Sequence, residues 1–415
     1  MANTQNINPI LIKRLEKFFF DENITNVKYE QLDLKNFLGV MFKVIARKND
    51  KQDGQVDLSY IFKVAPSTDA LRKYAQIDKL FKKEIFVYEK LLPLYQQLSL
   101  EHNIYEEFVN IPKIYFTCNE TLQESLLMDN MTLKGYQSWD FNKNLDLPHA
   151  IYVMKTYGKL HALSYALREY KPNEYKKIVE YTKEKFNANI NIAAISNQQK
   201  KCCKKAFETL NPTKDRRAIQ LFSKFMEKPF EYQLQAMKMG AIGSYAVITH
   251  GDASLKNFLF KYDNHDDATI PSDLCILDWQ YLRYGSPAFD LSQFIFIFTD
   301  KTFRKNHLQQ LLKAYHYSLS GHLSEFGLDP EKVLPFDVLQ MEMKRYSIFG
   351  LCMAIMVLHI VLEKEGDVIQ LPTGAKTSDI DDIFDTSVRN DDYYKGRVRD
   401  VITDFVEYGY FELVN

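Results

Sequence analysis

The sequence predicts an α+β fold in two lobes: a small antiparallel-sheet lobe over residues 1–130, then a large, mostly helical lobe over 131–415. Three observations predict it. A chain of 415 residues exceeds what one small core usually encloses. Alternating β-branched and aromatic runs cluster before residue 130. After residue 140 the apolar spacing becomes helical and breaks once, at 244–300.

Residues 9–20 (PILIKRLEKFFF) read as an opening helix. Gly39–Ala46 and Leu58–Val64 follow as extended runs around the turn-rich NDKQDGQ, which makes a hairpin. A helix is expected over about 74–97, where Ile77, Phe81, Ile85, Tyr88 and Leu92 fall on one stripe. Glu84 lies inside that stripe, and a carboxylate on an apolar face needs a partner. Lys113–Thr117 and Ser125–Met128 bring to four the named strands of an expected five-stranded sheet, and MDNMTLKG marks the passage between lobes. Ala150–Leu167 is then helical, with further amphipathic helices across 173–240. Short strands are expected at Tyr245–Thr249, Asn257–Tyr262 and Leu274–Leu277. Helices resume at about 302–325, 331–364 and 380–407.

Composition excludes several classes. The 53 Lys+Arg balance 54 Asp+Glu, which removes a strongly basic nucleic-acid binder. At 46% hydrophobic the chain can bury a large core, and 15 glycines are too few for a collagenous or Gly-rich linker array. The five cysteines form no CxxC pair, so neither a zinc site nor a disulfide framework is suggested, and a cytoplasmic location is expected. The polar opening MANTQNINPI lacks a signal-peptide layout. Ile348–Leu362 is apolar but shorter than the roughly 20 residues a membrane span needs, so it reads as a buried core helix.

The chemistry concentrates in the strand-rich interruption, THGDASLKNFLF (249–260) and CILDWQYLRYGSPAFDL (275–291). Asp252 and Asn257 have the D-x-x-x-x-N spacing of a kinase catalytic loop. A second apolar strand ends in Asp278, so a hairpin can carry Asn257 and Asp278 at its mouth. Phosphoryl transfer needs such a set: a carboxylate for the attacking hydroxyl, and oxygen ligands for Mg²⁺ bridging the phosphates. Singly, each residue has a structural explanation, since Asp252 can cap a turn and Asn257 can sit in one. The joint spacing is far more specific than its parts.

These residues closely resemble the insect ecdysteroid kinase-like family, a branch of the choline and aminoglycoside kinase group with a protein-kinase-like fold. The match runs through His250, Gly251, Asp252, Asn257 and Phe260, then Asp278-Trp279-Gln280, Arg283-Tyr284-Gly285-Ser286-Pro287 and Asp290-Leu291. FKKEIFVYEKLLP (81–93) and YGKLHALSYALRE (157–169) extend it, so the resemblance covers about residue 30 to past 360.

The resemblance implies an ATP- and Mg²⁺-dependent kinase for a small-molecule alcohol, an ecdysteroid or similar steroid or xenobiotic. Choline- or aminoglycoside-type kinases and a nucleotide-binding pseudokinase are the rival readings. It assigns Asp252 as catalytic aspartate, Asn257 and Asp278 as Mg²⁺ ligands, Lys63 as the phosphate-binding lysine and Glu84 as its helix partner. Gly39 would approach the phosphates from the covering hairpin KNFLGVMFK (35–43), and Asp129 would stand at the nucleotide-side acidic position. Ser254 and Lys256 replace the family's usual Trp and first Asn. His161 and Asp290 read as structural, and His250 as fixing the catalytic loop. No nucleic-acid, membrane or obligate protein partner is expected.

Overall fold

The computed structural model describes residues 7–32, 39–50, 54–105, 110–182, 192–263, 269–362 and 392–414. Its N-terminal lobe is an antiparallel sheet of five strands: β1 (Ile24–Leu32), β2 (Val40–Asp50), β3 (Gly54–Val64), β4 (Ile114–Cys118) and β5 (Ser125–Asp129). Their order β1-β2-β3-β5-β4 makes β3 the central strand. The β2–β3 hairpin is longer than the sequence suggests, with register running from Val40↔Val64 to Asp50↔Gly54.

The two-residue side-chain period of a strand separates the faces of β3. Tyr60, Phe62 and Val64 join a cluster with Leu11, Leu15 and Phe19 of helix α1 (Pro9–Asp21). Lys63 points to the opposite face, toward the helix that follows. That helical stretch is not continuous. It divides into α2 (Asp69–Ala75), α3 (Ile77–Phe86) and α4 (Leu92–Glu101). Gln76 breaks it first by taking a left-handed backbone, φ 51°. Val87–Leu91 then forms a π-turn, with the Leu92 N–H donating to Val87 O. Pro93 lies just beyond and has no N–H to continue an i→i−4 ladder, which accounts for the wider turn.

The C-terminal lobe is built on two long helices, α5 (Leu147–Tyr170) and α11 (Lys301–Glu325), packed along each other. Gly158 allows their approach: a Cβ there would stand 2.6 Å from Tyr315 O. Between them come α6 (Pro172–Thr182), α7 (Ile192–Glu208), α8 (Arg216–Met226) and α9 (Pro229–Ile242), then α10 (Ala288–Phe298). The short strands are β6 (Tyr136–Ser138), β7 (Val247–Thr249), β8 (Phe258–Lys261), β9 (Asp273–Ile276) and β10 (Arg283–Gly285).

The stretch expected as one helix over 331–364 is three, α12 (Pro330–Val333), α13 (Phe336–Tyr346) and α14 (Ile348–Val361). Pro335 separates the first two, and a 52° bend near Ser347 separates the last. Helix α15 (Asp392–Glu407) closes the chain, and the part of that expected helix at 380–391 lies outside the described residues. Leu351, Ile355 and Leu358 of α14 are buried in the main core, which also holds Phe81, Leu126 and Met128 from the N-terminal lobe. One apolar cluster thus spans residue 130. Among the described residues no single helix is long and apolar enough to cross a membrane.

Candidate active site

The alternation of β3 and the stripe of α3 converge on one buried ion pair. Lys63 Nζ lies 2.7 Å from Glu84 Oε2, with side-chain exposures of 3% and 1%. The same ammonium reaches Asp278 Oδ1 at 2.9 Å, across 215 residues of chain. The partner demanded by a carboxylate on an apolar stripe is therefore present. Gly39 lies over this lysine, since a Cβ there would stand 3.4 Å from Lys63 Cε. Residues 35–38 of the covering hairpin lie outside the described residues.

The loop that carries Asp252 leaves β7, which pairs with β10. Gly251 turns it at φ +84°, and no other residue fits, because a Cβ would fall 1.9 Å from Tyr281 O. The His250 and Gly251 N–H groups each donate to the Asp290 carboxylate at 2.8 Å. His161, donating to Asp290 and held by Tyr315, is a hydrogen-bonded core histidine. Asp290 therefore has a larger structural role than a helix-dipole partner: it holds the loop backbone. His250 Nε2–H donates to Leu277 O at 3.0 Å, tying the loop to the end of β9.

Asp252 emerges with both carboxylate oxygens engaged. Oδ2 accepts from Asn257 Nδ2 at 2.9 Å, and Oδ1 accepts from Gln293 Nε2 at 3.1 Å. Antiparallel β8 and β9 bring Asn257 and Asp278 to one mouth, closed by Leu277 N–H donating to Asn257 O at 2.8 Å. Asp278 adopts a left-handed backbone, φ 62°.

Asp129 is placed elsewhere. Its carboxylate accepts from Tyr115 Oη at 2.8 Å, Lys134 Nζ at 2.6 Å and Lys113 N at 3.2 Å. These contacts tie it to β4 and to the turn after β5, and the structure does not bring it to the Lys63–Asp278 cluster.

The electrostatics follow from two carboxylates on one ammonium, with Asp252 close to one of them. Burial works to lower the Lys63 pKa, but Asp278 and Glu84 outweigh it and hold it above the ordinary lysine value. One ammonium does not neutralise two acids. Burial, opposed by Lys63 and reinforced by Asp278, pushes Glu84 up to about 7. Burial and the Asp278 charge likewise hold Asp252 above the ordinary aspartate range. Because the Glu84 pKa is raised on folding, its stabilising contribution is full below the unfolded value of 4.5 and is lost as pH rises through about 7. The stability difference between wild type and Glu84→Gln, from urea midpoints of the ligand-free protein, is expected to decline across that window. A difference independent of pH would contradict the assignment.

The donor set suits a hard divalent cation. Asn257 uses its amide nitrogen on Asp252, leaving the amide oxygen, and Asp278 uses one oxygen on Lys63, leaving the other. An amide oxygen and a carboxylate beside an excess of negative charge match Mg²⁺, which takes one or two carboxylates and completes its shell with water and phosphate. Among the described residues no cluster of three or more His, Cys, Asp or Glu side chains has metal-binding geometry.

One residue of this site carries no motif. Gln293 is the single amide in the apolar run of α10, one turn beyond Asp290, and is 2% exposed. A polar side chain in so apolar a helix needs a partner, which was the available signal. The bracing of His250 and Gly251 by Asp290 depends on the folded loop and has no local trace.

A family model described as the ecdysteroid kinase-like family matches residues 33–328. No curated protein matches the chain. Among solved structures, a microcompartment-associated aminopropanol kinase is similar at 8% identity and TM-score 0.42, covering 97% of this chain and 99% of its own. The GDP complex of a mutant aminoglycoside 2'-phosphotransferase is similar at 13% identity and TM-score 0.40, covering 93% of this chain and 100% of its own. At these identities and scores, the chemistry rests on this chain's own residues.

Proposed function

We propose, from the premise that the chain belongs to the ecdysteroid kinase-like family and is a kinase acting on small-molecule hydroxyl groups, that it transfers the γ-phosphoryl group of ATP to a steroid-like alcohol. An ecdysteroid or a similar steroid or xenobiotic is the acceptor class the family suggests. The observation that carries the reaction is the bridging of Glu84 and Asp278 by Lys63, with Asp252 and Asn257 in the adjoining loop.

Residues 1–130 cover the nucleotide, and 131–415 carry the loop and the acceptor site. Lys63 pairs with phosphate oxygens while Glu84 holds its ammonium in place. Asn257 and Asp278 would hold Mg²⁺, which supplies neutralisation of phosphate charge. Asp252 orients the acceptor hydroxyl. As the acceptor oxygen bonds to γ-phosphorus, the bridging bond to ADP breaks and the hydroxyl proton passes to the Asp252 carboxylate. The five cysteines are buried and none forms a disulfide, which suits a reducing cytoplasm.

Nucleotide binding tests the premise of this chemistry. MgATP at about 100 times its Kd is expected to stabilise the protein by about 2.7 kcal/mol, read as a shift in thermal midpoint. No stabilisation would sink the kinase reading. Stabilisation without transfer to any acceptor would favour a nucleotide-binding pseudokinase.

A further inference from the structure

We infer that Gln293 is a positioning residue for the transfer step, holding the Asp252 carboxylate in its working orientation; the inference rests on the phosphotransfer reading above. Helix α10 is buried along its whole length and packs against α14. Asp290 and Gln293 are three residues apart, so they project from one face of that helix. From this face, the Asp290 oxygens take the N–H groups of His250 and Gly251 at 2.8 Å each. Gln293 Nε2 donates to Asp252 Oδ1 at 3.1 Å. A single rigid face thus grips three consecutive residues, two by backbone and the third by side chain.

The grip matters because Asp252 has few other restraints. Asn257 holds Oδ2 through its amide nitrogen, and the same nitrogen lies 3.2 Å from Asp252 O. Without Gln293 the carboxylate would be held at one oxygen by a loop residue and could swing about its χ2 torsion, which is broad and roughly two-fold for aspartate. The amide orientation is dictated, since Oε1 facing a carboxylate would be repelled. Gln293 Oε1 is buried with no hydrogen-bond partner among the described residues, so nothing on that oxygen fixes the amide instead. The hydrogen bond to Asp252 is therefore what orients this side chain. An ionised acceptor makes it one of the stronger class of hydrogen bonds.

The test uses the full-length protein and four variants: Gln293→Met, which preserves the volume without a donor; Gln293→Asn, which keeps the amide but withdraws it by one methylene; Asp252→Asn; and Asp252→Asn/Gln293→Met. Transfer of labelled γ-phosphate is measured with kcat and the KM for ATP resolved separately. Wild-type transfer is the gate, because a wild type that phosphorylates no acceptor sinks the phosphotransfer reading and this inference with it. Given wild-type transfer, both single Gln293 variants are expected to lose about 10- to 100-fold in kcat, as befits one hydrogen bond to a charged group. Their KM for ATP is expected to stay within about twofold of wild type. In the Asp252→Asn background, Gln293→Met is expected to add little further loss, because the two residues act as one unit. A kcat within about twofold of wild type in both variants would overturn the inference while leaving the reaction intact. An equal loss with and without Asp252 would also overturn it, by showing a general packing effect.

Discussion

Asp252→Asn is expected to lower kcat by about 10²- to 10⁴-fold, the usual contribution of a positioned general base, while leaving MgATP binding largely unchanged. The division follows from the geometry. Asp252 is held by two neutral amides, Asn257 and Gln293, and makes no contact with Lys63, whereas Asp278 does. The substitution is nearly isosteric and removes the carboxylate proposed to receive the hydroxyl proton. It also relieves the repulsion between Asp252 and Asp278, so nucleotide affinity has no reason to fall. Single-turnover transfer beside a thermal-shift titration separates the two effects. Turnover within about tenfold of wild type would contradict the role given to Asp252.

Lys63→Met is expected to destabilise the ligand-free protein by about 3–5 kcal/mol on the alkaline side of about pH 7, where Glu84 is ionised, the range for breaking a buried pair by removing one member. Methionine fills the volume along β3, but Glu84 at 1% exposure loses its cation. Asp278, with its side chain 19% exposed, loses one contact and keeps access to water. Two further results follow. The penalty is expected to be largest at alkaline pH and to shrink as pH falls toward about 7, because Glu84 without Lys63 is pushed above its wild-type value of about 7 and takes a proton there instead of remaining charged and alone. Lys63→Met/Glu84→Gln is expected to recover most of the stability while transfer stays lost. A stability loss under about 1 kcal/mol, the scale of an exposed ion pair, would show that the pair is not buried as described. Urea unfolding of the three variants at two pH values is the measurement.

How far the sequence announces all this varies by element. The apolar stripe of α3 is a local periodicity that points Glu84 inward before any contact is known. The alternation of β3 puts Lys63 on the face opposite Tyr60, Phe62 and Val64. By itself it reads there as a solvent-facing lysine, and only the family resemblance turns it inward. Strand β1 has no such signature. Its run ITNVKYEQL is mostly exposed, only Ile24 is buried, and a register shift lies between Thr25 and Lys28. It is an edge strand carrying charge, which blunts edge-to-edge pairing but erases alternation. The break at Gln76 is equally silent, since a left-handed glutamine has no composition cue, whereas Pro93 and Pro335 were available signals for the later interruptions.

Within the site, the Asp252–Asn257 spacing and the terminal Asp278 are legible because they lie on one hairpin. Their meeting with Lys63 spans the two lobes, and only the family resemblance suggested it. Asp129, carried across by position alone, stands at the end of β5 with Tyr115 and Lys134 on its carboxylate. Gln293 is outside every motif, and the packing of α10 delivers it to the Asp252 carboxylate.

The most direct test of the account is transfer of labelled γ-phosphate from MgATP to a panel of ecdysteroids, other steroid-like and plant-derived alcohols, choline and an aminoglycoside. The account predicts label on a steroid-like alcohol, in proportion to the ADP formed and lost in Asp252→Asn. Label on choline or the aminoglycoside alone would keep the chemistry and overturn the acceptor. No label on any acceptor, with no stabilisation by MgATP, would contradict the central claim that this cleft is a phosphotransfer site.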